Sequence, residues 1–175
     1  MTAGLVIICG EPGAGKTSML FAALRAHAAR GWRTIAISNI DERALPLGVD
    51  EAMTVERALE LAGDEPVCIG IDEVNTEVDD VSRRPSPPLL AIARFRRHMR
   101  VMFLAATQRP RDMPPRVRDL DTQWRFMRWT DTSAHDFQWL ERHFPEQARQ
   151  LPRLEPYWWE PGAPDPVEGV HYLRR

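Results

Sequence analysis

Lysine is nearly missing from this chain: of 23 basic residues only Lys16 is a lysine, and all the others are arginine. Arginine offers a rigid planar fork and lysine a compact point charge, so the single lysine marks a place where a point charge is wanted. Cysteine is scarce as well. Cys9 and Cys68 each sit inside an apolar run with no CxxC or Cys/His spacing, which argues against a disulfide framework or a zinc site and predicts two small core residues. The five histidines are scattered and read as solvated or satisfied. No stretch approaches the ~18 apolar residues of a membrane span, and the N-terminus MTAGLVIICG lacks a basic leader and a cleavage site. The expectation is a soluble, cytoplasmic protein.

What is present is unevenly distributed. The formal net charge is only −2, yet residues 83–128 hold 12 arginines against three acids, Asp112, Asp119 and Asp121. A near-neutral total therefore conceals a basic block, which suits either an anionic partner or a solvated face. At 175 residues the chain is long enough for one α/β domain that buries roughly 70% of its unfolded surface.

Apolar runs and helical patterns alternate along the chain. GLVIICG (4–10) reads as a strand buried on both faces, and KTSMLFAALRAHAAR (16–30) as a helix closed by Gly31. A second strand is expected at 34–40, a short helix at 54–63 capped by Thr54, and a third strand at 66–74. A helix at 87–99, a strand at 101–107, a strand at 123–130 and a helix at 133–150 broken at Pro145 follow. Such alternation implies right-handed crossovers and a parallel sheet covered on both faces. The predicted fold is thus α/β, a three-layer sandwich. Residues 1–150 form its domain; 151–175, rich in Pro and aromatics, are expected to pack on it as an extension or as a hairpin pairing YWWE with VHYL.

GEPGAGKT (10–17) follows the first strand and opens the first helix, matching G-x-x-x-x-G-K-[ST] in the context that the motif requires. Gly10, Glu11, Pro12, Gly13, Ala14, Gly15, Lys16, Thr17 and Ser18 are the candidate phosphate-cradling residues. Glycines let the backbone wrap so that successive N–H groups face phosphate oxygens, and the helix N-terminus adds partial positive charge. Lys16 would reach the β- and γ-phosphates of ATP, and the Thr17 hydroxyl would ligate Mg2+. The third strand ends in Asp72-Glu73. Neighbours on a strand point to opposite faces, so the two carboxylates share a task only if the chain turns there. Asp72 is placed to hold Mg2+ through water, and Glu73 to polarise an attacking water.

A P-loop, an Asp-Glu strand end and a later strand finishing in a polar residue resemble the ASCE division of P-loop ATPases. Within it, ATQRP (106–110) resembles the FtsK–HerA group, including the genome-packaging ATPases of membrane-containing viruses. RTIAISNI and the Arg-rich helix before ATQRP are similar to the Zot-like proteins of filamentous phages. The resemblance covers roughly residues 4–130 and is specific at 10–17, 72–73 and 107–110. It implies that the 101–107 strand is central and that Gln108 emerges beside the γ-phosphate, where a carboxamide accepts from water and donates to phosphate at once. It also implies double-stranded DNA as partner, a pentameric or hexameric homo-oligomeric ring, a capsid or membrane-protein partner, and a place in the host cytoplasm or the virion. In such rings an arginine of one subunit completes the neighbouring site. Arg97 and Arg94, opposite the apolar face formed by Leu89, Ile92, Phe95 and Met99, are the candidates, ahead of Arg83, Arg84 and Arg109.

Two other readings stand beside the DNA-translocating ATPase. A small-molecule or nucleotide kinase would use the arginines of 109–128 as a lid, although transfer to a bound hydroxyl needs no water-activating Glu73. A Zot-like assembly protein would use ATP only to fix the arrangement of its subunits. The loop 109–119, with arginines every few residues, reads either as a DNA-facing loop or as an ordinary surface loop.

Overall fold

The computed structural model describes residues 4–37, 48–52, 54–62, 65–77, 89–91, 100–113, 115–118, 122–157 and 173–174. Its centre is a seven-stranded sheet. In chain order the elements are β1 (Gly4–Cys9), α1 (Lys16–Ala28), β2 (Arg33–Ile37), β3 (Asp50–Ala52), α2 (Val55–Ala62), β4 (Val67–Ile71) and β5 (Val101–Thr107). Then come α3 (Pro115–Arg118), β6 (Thr122–Phe126), α4 (His135–His143), α5 (Pro145–Ala148) and β7 (Leu173–Arg174). The spatial order is β3-β2-β4-β5-β1-β6-β7. All neighbours pair parallel except β6 and β7, which run antiparallel.

Alternation along the central strands makes the three layers. Leu5, Ile7 and Cys9 of β1 and Val101, Phe103 and Ala105 of β5 join one buried cluster; Val6, Ile8, Leu104 and Ala106 join the other. The first also takes in Val55 and Ala58 of α2 and Phe137 and Leu140 of α4. The second is filled by α1 through Met19, Leu20, Phe21 and Leu24. Cys9 and Cys68 are buried free thiols, one on each side of the sheet, as expected of small core residues.

Several boundaries differ from the sequence reading for local reasons. β2 ends at Ile37, and 38–47 lie outside the described residues. β4 stops at Ile71, because Glu73 takes a left-handed φ of 62° and Val74–Glu77 coil into a 3-10 turn. β6 ends at Phe126, so 127–130 continue without strand structure. The 133–150 helix is two pieces, α4 and α5, separated at Phe144 (φ −141°, ψ 60°), since a proline disfavours the helical region for its predecessor. Thr54 caps α2 as anticipated, its Oγ1 accepting from Arg57 N at 3.2 Å. β3 was not foreseen; its three residues Asp50-Glu51-Ala52 become a strand by pairing with Ile35–Ile37.

Of the expected 87–99 helix, Leu89–Ala91 are helical and the rest, Arg94 and Arg97 included, lies outside the described residues. The proposed YWWE–VHYL hairpin also falls mostly there. Leu173, its last residue, pairs with Phe126 of β6. Among the described residues, no helix is long and apolar enough to cross a membrane.

Gly70 sets how closely α1 lies on the sheet. A Cβ there would meet Leu24 Cδ1 at 2.9 Å and Leu20 Cδ1 at 3.0 Å. Gly70→Val should therefore overpack this face and lower unfolding free energy by about 1–3 kcal/mol, measured by urea denaturation. Gly70→Ala should cost less, because flexible leucine termini give way.

Candidate active site

Three strand ends meet where β5 lies between β1 and β4. β1 runs directly into the glycine-rich loop, and Gly15, at φ 90°, turns the chain into α1 with Lys16 as its first residue. Backbone bonds fix the loop: within it Ala14 N donates to Glu11 O at 3.2 Å, and Gly10 N donates to Thr107 O of β5 at 3.4 Å. Gly15 cannot be replaced, since a Cβ on it would run into the Tyr157 carbonyl oxygen. Tyr157 N in turn donates to Ala14 O at 3.0 Å, so Tyr157 lies directly on the loop.

Lys16 is 8% exposed and its Nζ donates to Glu11 O at 3.0 Å. Burial holds its pKa below the usual lysine value, opposed by the nearby carboxylates of Glu73 and Asp72, then by Cys9 and Glu11. The Thr17 hydroxyl donates to Asp72 Oδ2 at 3.0 Å, joining the start of α1 to the end of β4 across 55 positions of sequence. Burial raises the Asp72 carboxyl above the ordinary aspartate range, against the Thr17 hydrogen bond and the Lys16 charge. Asp72 and Glu73 thus both act on Lys16, which the turn at Glu73 permits.

Glu73 reaches sideways to β5. Its Oε1 accepts from Thr107 Oγ1 and its Oε2 from Gln108 N, each at 3.2 Å. Thr107 Oγ1 also accepts from Arg109 N at 2.9 Å, and Asn75 Nδ2 donates to Arg109 O at 3.2 Å. Gln108 is exposed where β5 ends.

Sequence reasoning missed three of these contacts. Thr107 looked like the last residue of an apolar run, yet it is fully buried with its hydroxyl at the junction. The seat of Tyr157 on Gly15 had no sequence signal. The third is the side chain of Glu11. A carboxylate inside an anion-binding loop is unfavourable unless a cation faces it, and that oddity was the available clue. Its Oε1 accepts from Arg128 Nε at 3.1 Å and its Oε2 from Thr130 N at 2.7 Å, while Thr130 Oγ1 lies 3.1 and 3.0 Å from the two oxygens. The backbone adds Glu11 N to Arg128 O at 3.2 Å. Glu11 therefore serves the loop by clasping it to the stretch that follows β6.

Glu11→Ala should leave Arg128 half-buried without its carboxylate and loosen the loop that carries the Lys16 acceptor. The expected result is about a tenfold weaker ATP affinity by fluorescent-nucleotide titration, with a fall in thermal midpoint. Arg128→Met should do much the same, and the double variant should be less than additive.

The chain belongs to the ATPase family associated with various cellular activities (AAA), whose profile matches residues 6–128. It is an ATPase, and ATP is its nucleotide. No curated protein sequence matches it. Among solved structures it is similar to B204, the DNA-packaging ATPase of Sulfolobus turreted icosahedral virus, at 15% identity and TM-score 0.71, over 90% of this chain and 91% of that one. The genome packaging NTPase B204 of Sulfolobus turreted icosahedral virus 2, bound to AMP, is similar at 15% identity and TM-score 0.69, over 98% and 92% of the two chains. The N-terminal domain of zonular occludens toxin from Neisseria meningitidis is similar at 16% identity and TM-score 0.52, over 72% and 77%. At these identities the likeness is one of fold. It agrees with the P-loop sandwich read from the sequence, with β5 at its centre.

Proposed function

We propose that this ATPase translocates double-stranded DNA as a ring of identical subunits and that it packages a viral genome. The observation that carries the reading is the position of β5 between β1 and β4, which brings the Gln108 backbone N–H to the Glu73 carboxylate. The likeness to the two B204 proteins over nearly their whole length supports it. A kinase has no comparable need for a carboxylate held at that point. The likeness to the zonular occludens toxin domain goes with the second reading, a Zot-like nucleotide-dependent assembly protein.

In this reading the backbone N–H groups of Gly13 and Gly15 and the Lys16 ammonium bind the phosphates, while Glu73 accepts a proton from the attacking water. Gln108 reports the γ-phosphate. Thr17 and Asp72 are adjacent hard oxygen donors, a pair that fits Mg2+, which binds through one or two carboxylates together with substrate phosphates. When bound, that ion neutralises charge on the phosphate oxygens. Arg97 or Arg94 would complete the neighbouring subunit's site, and the arginines of 109–119 would meet the DNA backbone. Residues 1–150 would be the catalytic domain and 151–175 an extension packed on it, for which the burial of Leu151 and Tyr157 in the two cores speaks.

The deciding experiment is phosphate release with and without duplex DNA, on protein of known oligomeric state. Several-fold stimulation that fades steeply with salt is expected, because DNA-bound counterions compete with the arginines. Stimulation only by a specific small acceptor would establish a kinase instead, and tight ATP binding without turnover an assembly protein. Glu73→Gln should keep ATP binding and lose turnover by about 100-fold or more.

The raised Asp72 carboxyl adds a pH dependence. A group protonated more readily in the folded state stabilises the fold at low pH and loses that contribution as pH rises through its folded value. Binding of the metal needs the ionised form, so Mg2+-dependent nucleotide affinity should fall on acidification at a pH above the normal aspartate range. Titrations of wild type and Asp72→Asn check this; the variant should lack that step.

A further inference from the structure

We propose that Thr107 is a positioning residue for Glu73, making the ends of β4 and β5 one unit in which the γ-phosphate sensor and the water-activating carboxylate move together. The proposal rests on the reading of Glu73 as general base. A hydroxyl has one proton to give. At Thr107 its acceptor side is taken by Arg109 N at 2.9 Å, so the proton goes to Glu73 Oε1 at 3.2 Å. Gln108 N holds the second carboxylate oxygen at the same distance. Asn75, two residues beyond Glu73, returns a bond from the β4 side to Arg109 O. The backbone of 108–109 is therefore clipped to 73–75 from both directions.

The hold also accounts for the backbone at Glu73. A φ of 62° is unfavourable for a residue with a Cβ and persists only when surrounding contacts over-determine it. Here the left-handed turn brings the carboxylate to the tip of β5, where two donors fix it. Thr107 is fully buried, so no water replaces its hydroxyl if it is removed. Loss of that donor frees one carboxylate oxygen from its hydroxyl partner and widens its range of orientations, which lowers the fraction of complexes aligned for proton abstraction.

The test is Thr107→Val, nearly equal in shape, beside Thr107→Ser, which keeps the hydroxyl. The valine variant should lose about tenfold in kcat, the scale of one hydrogen bond to a charged group, with KM for ATP within about twofold of wild type. Serine should restore kcat, and adding Thr107→Val to Glu73→Gln should lower turnover no further. Unchanged or raised kcat in the valine variant, a loss appearing in KM alone, or failure of serine to restore it would each overturn the proposal. Thr107→Ala serves if the valine variant does not fold. Glu73→Gln alone tests the underlying reading: full turnover there removes the base and the positioning role together, whereas an inactive Glu73→Gln with a fully active Thr107→Val removes only the latter.

Discussion

The insertion of β5 between β1 and β4 is the constraint from which the rest of the site follows. Parallel strands present their C-terminal ends along one edge of a sheet, and ligands of such sheets bind beyond those ends. With β5 in that slot, the loop after β1, the acids after β4 and the polar residues ending β5 are neighbours by topology. The side-chain hydrogen bonds then refine a meeting that the backbone has already arranged. Were β5 at the rim, Thr107 and Glu73 would be strands apart.

The phosphate loop is held from outside as much as from within. Glu11 ties it to Arg128 and Thr130, and Tyr157 lies against Ala14 and Gly15. Both fastenings come from chain beyond the core of the nucleotide-binding motif. A loop whose amide groups must converge on an anion gains from such support, because groups fixed before the ligand arrives need not be ordered when it binds.

The legible parts of this protein were those where local pattern and tertiary environment agree. β1 and β5 could be read almost to the residue, since continuous apolar runs leave no alternative to a strand covered on both faces. The phosphate loop was equally plain, because its glycines and lysine sit between a strand and a helix. β3 was illegible: Asp50 and Glu51 carry no strand pattern, and only the edge of β2 makes them one. The left-handed turn at Glu73 was invisible for a similar reason, as no propensity assigns positive φ to a glutamate. The clasp at Glu11 required knowing which of 22 arginines lies opposite, and that is a property of the fold.

The β3 end of the sheet is a poor place for another chain to pair. β3 is three residues long and brings Asp50 and Glu51 to its margin. Short, charged borders offer few unpaired peptide groups to a would-be extra strand. In the ring proposed above, such borders would favour contact between copies through helices and connecting segments over shared sheet edges, so that each sheet could tilt as a separate body.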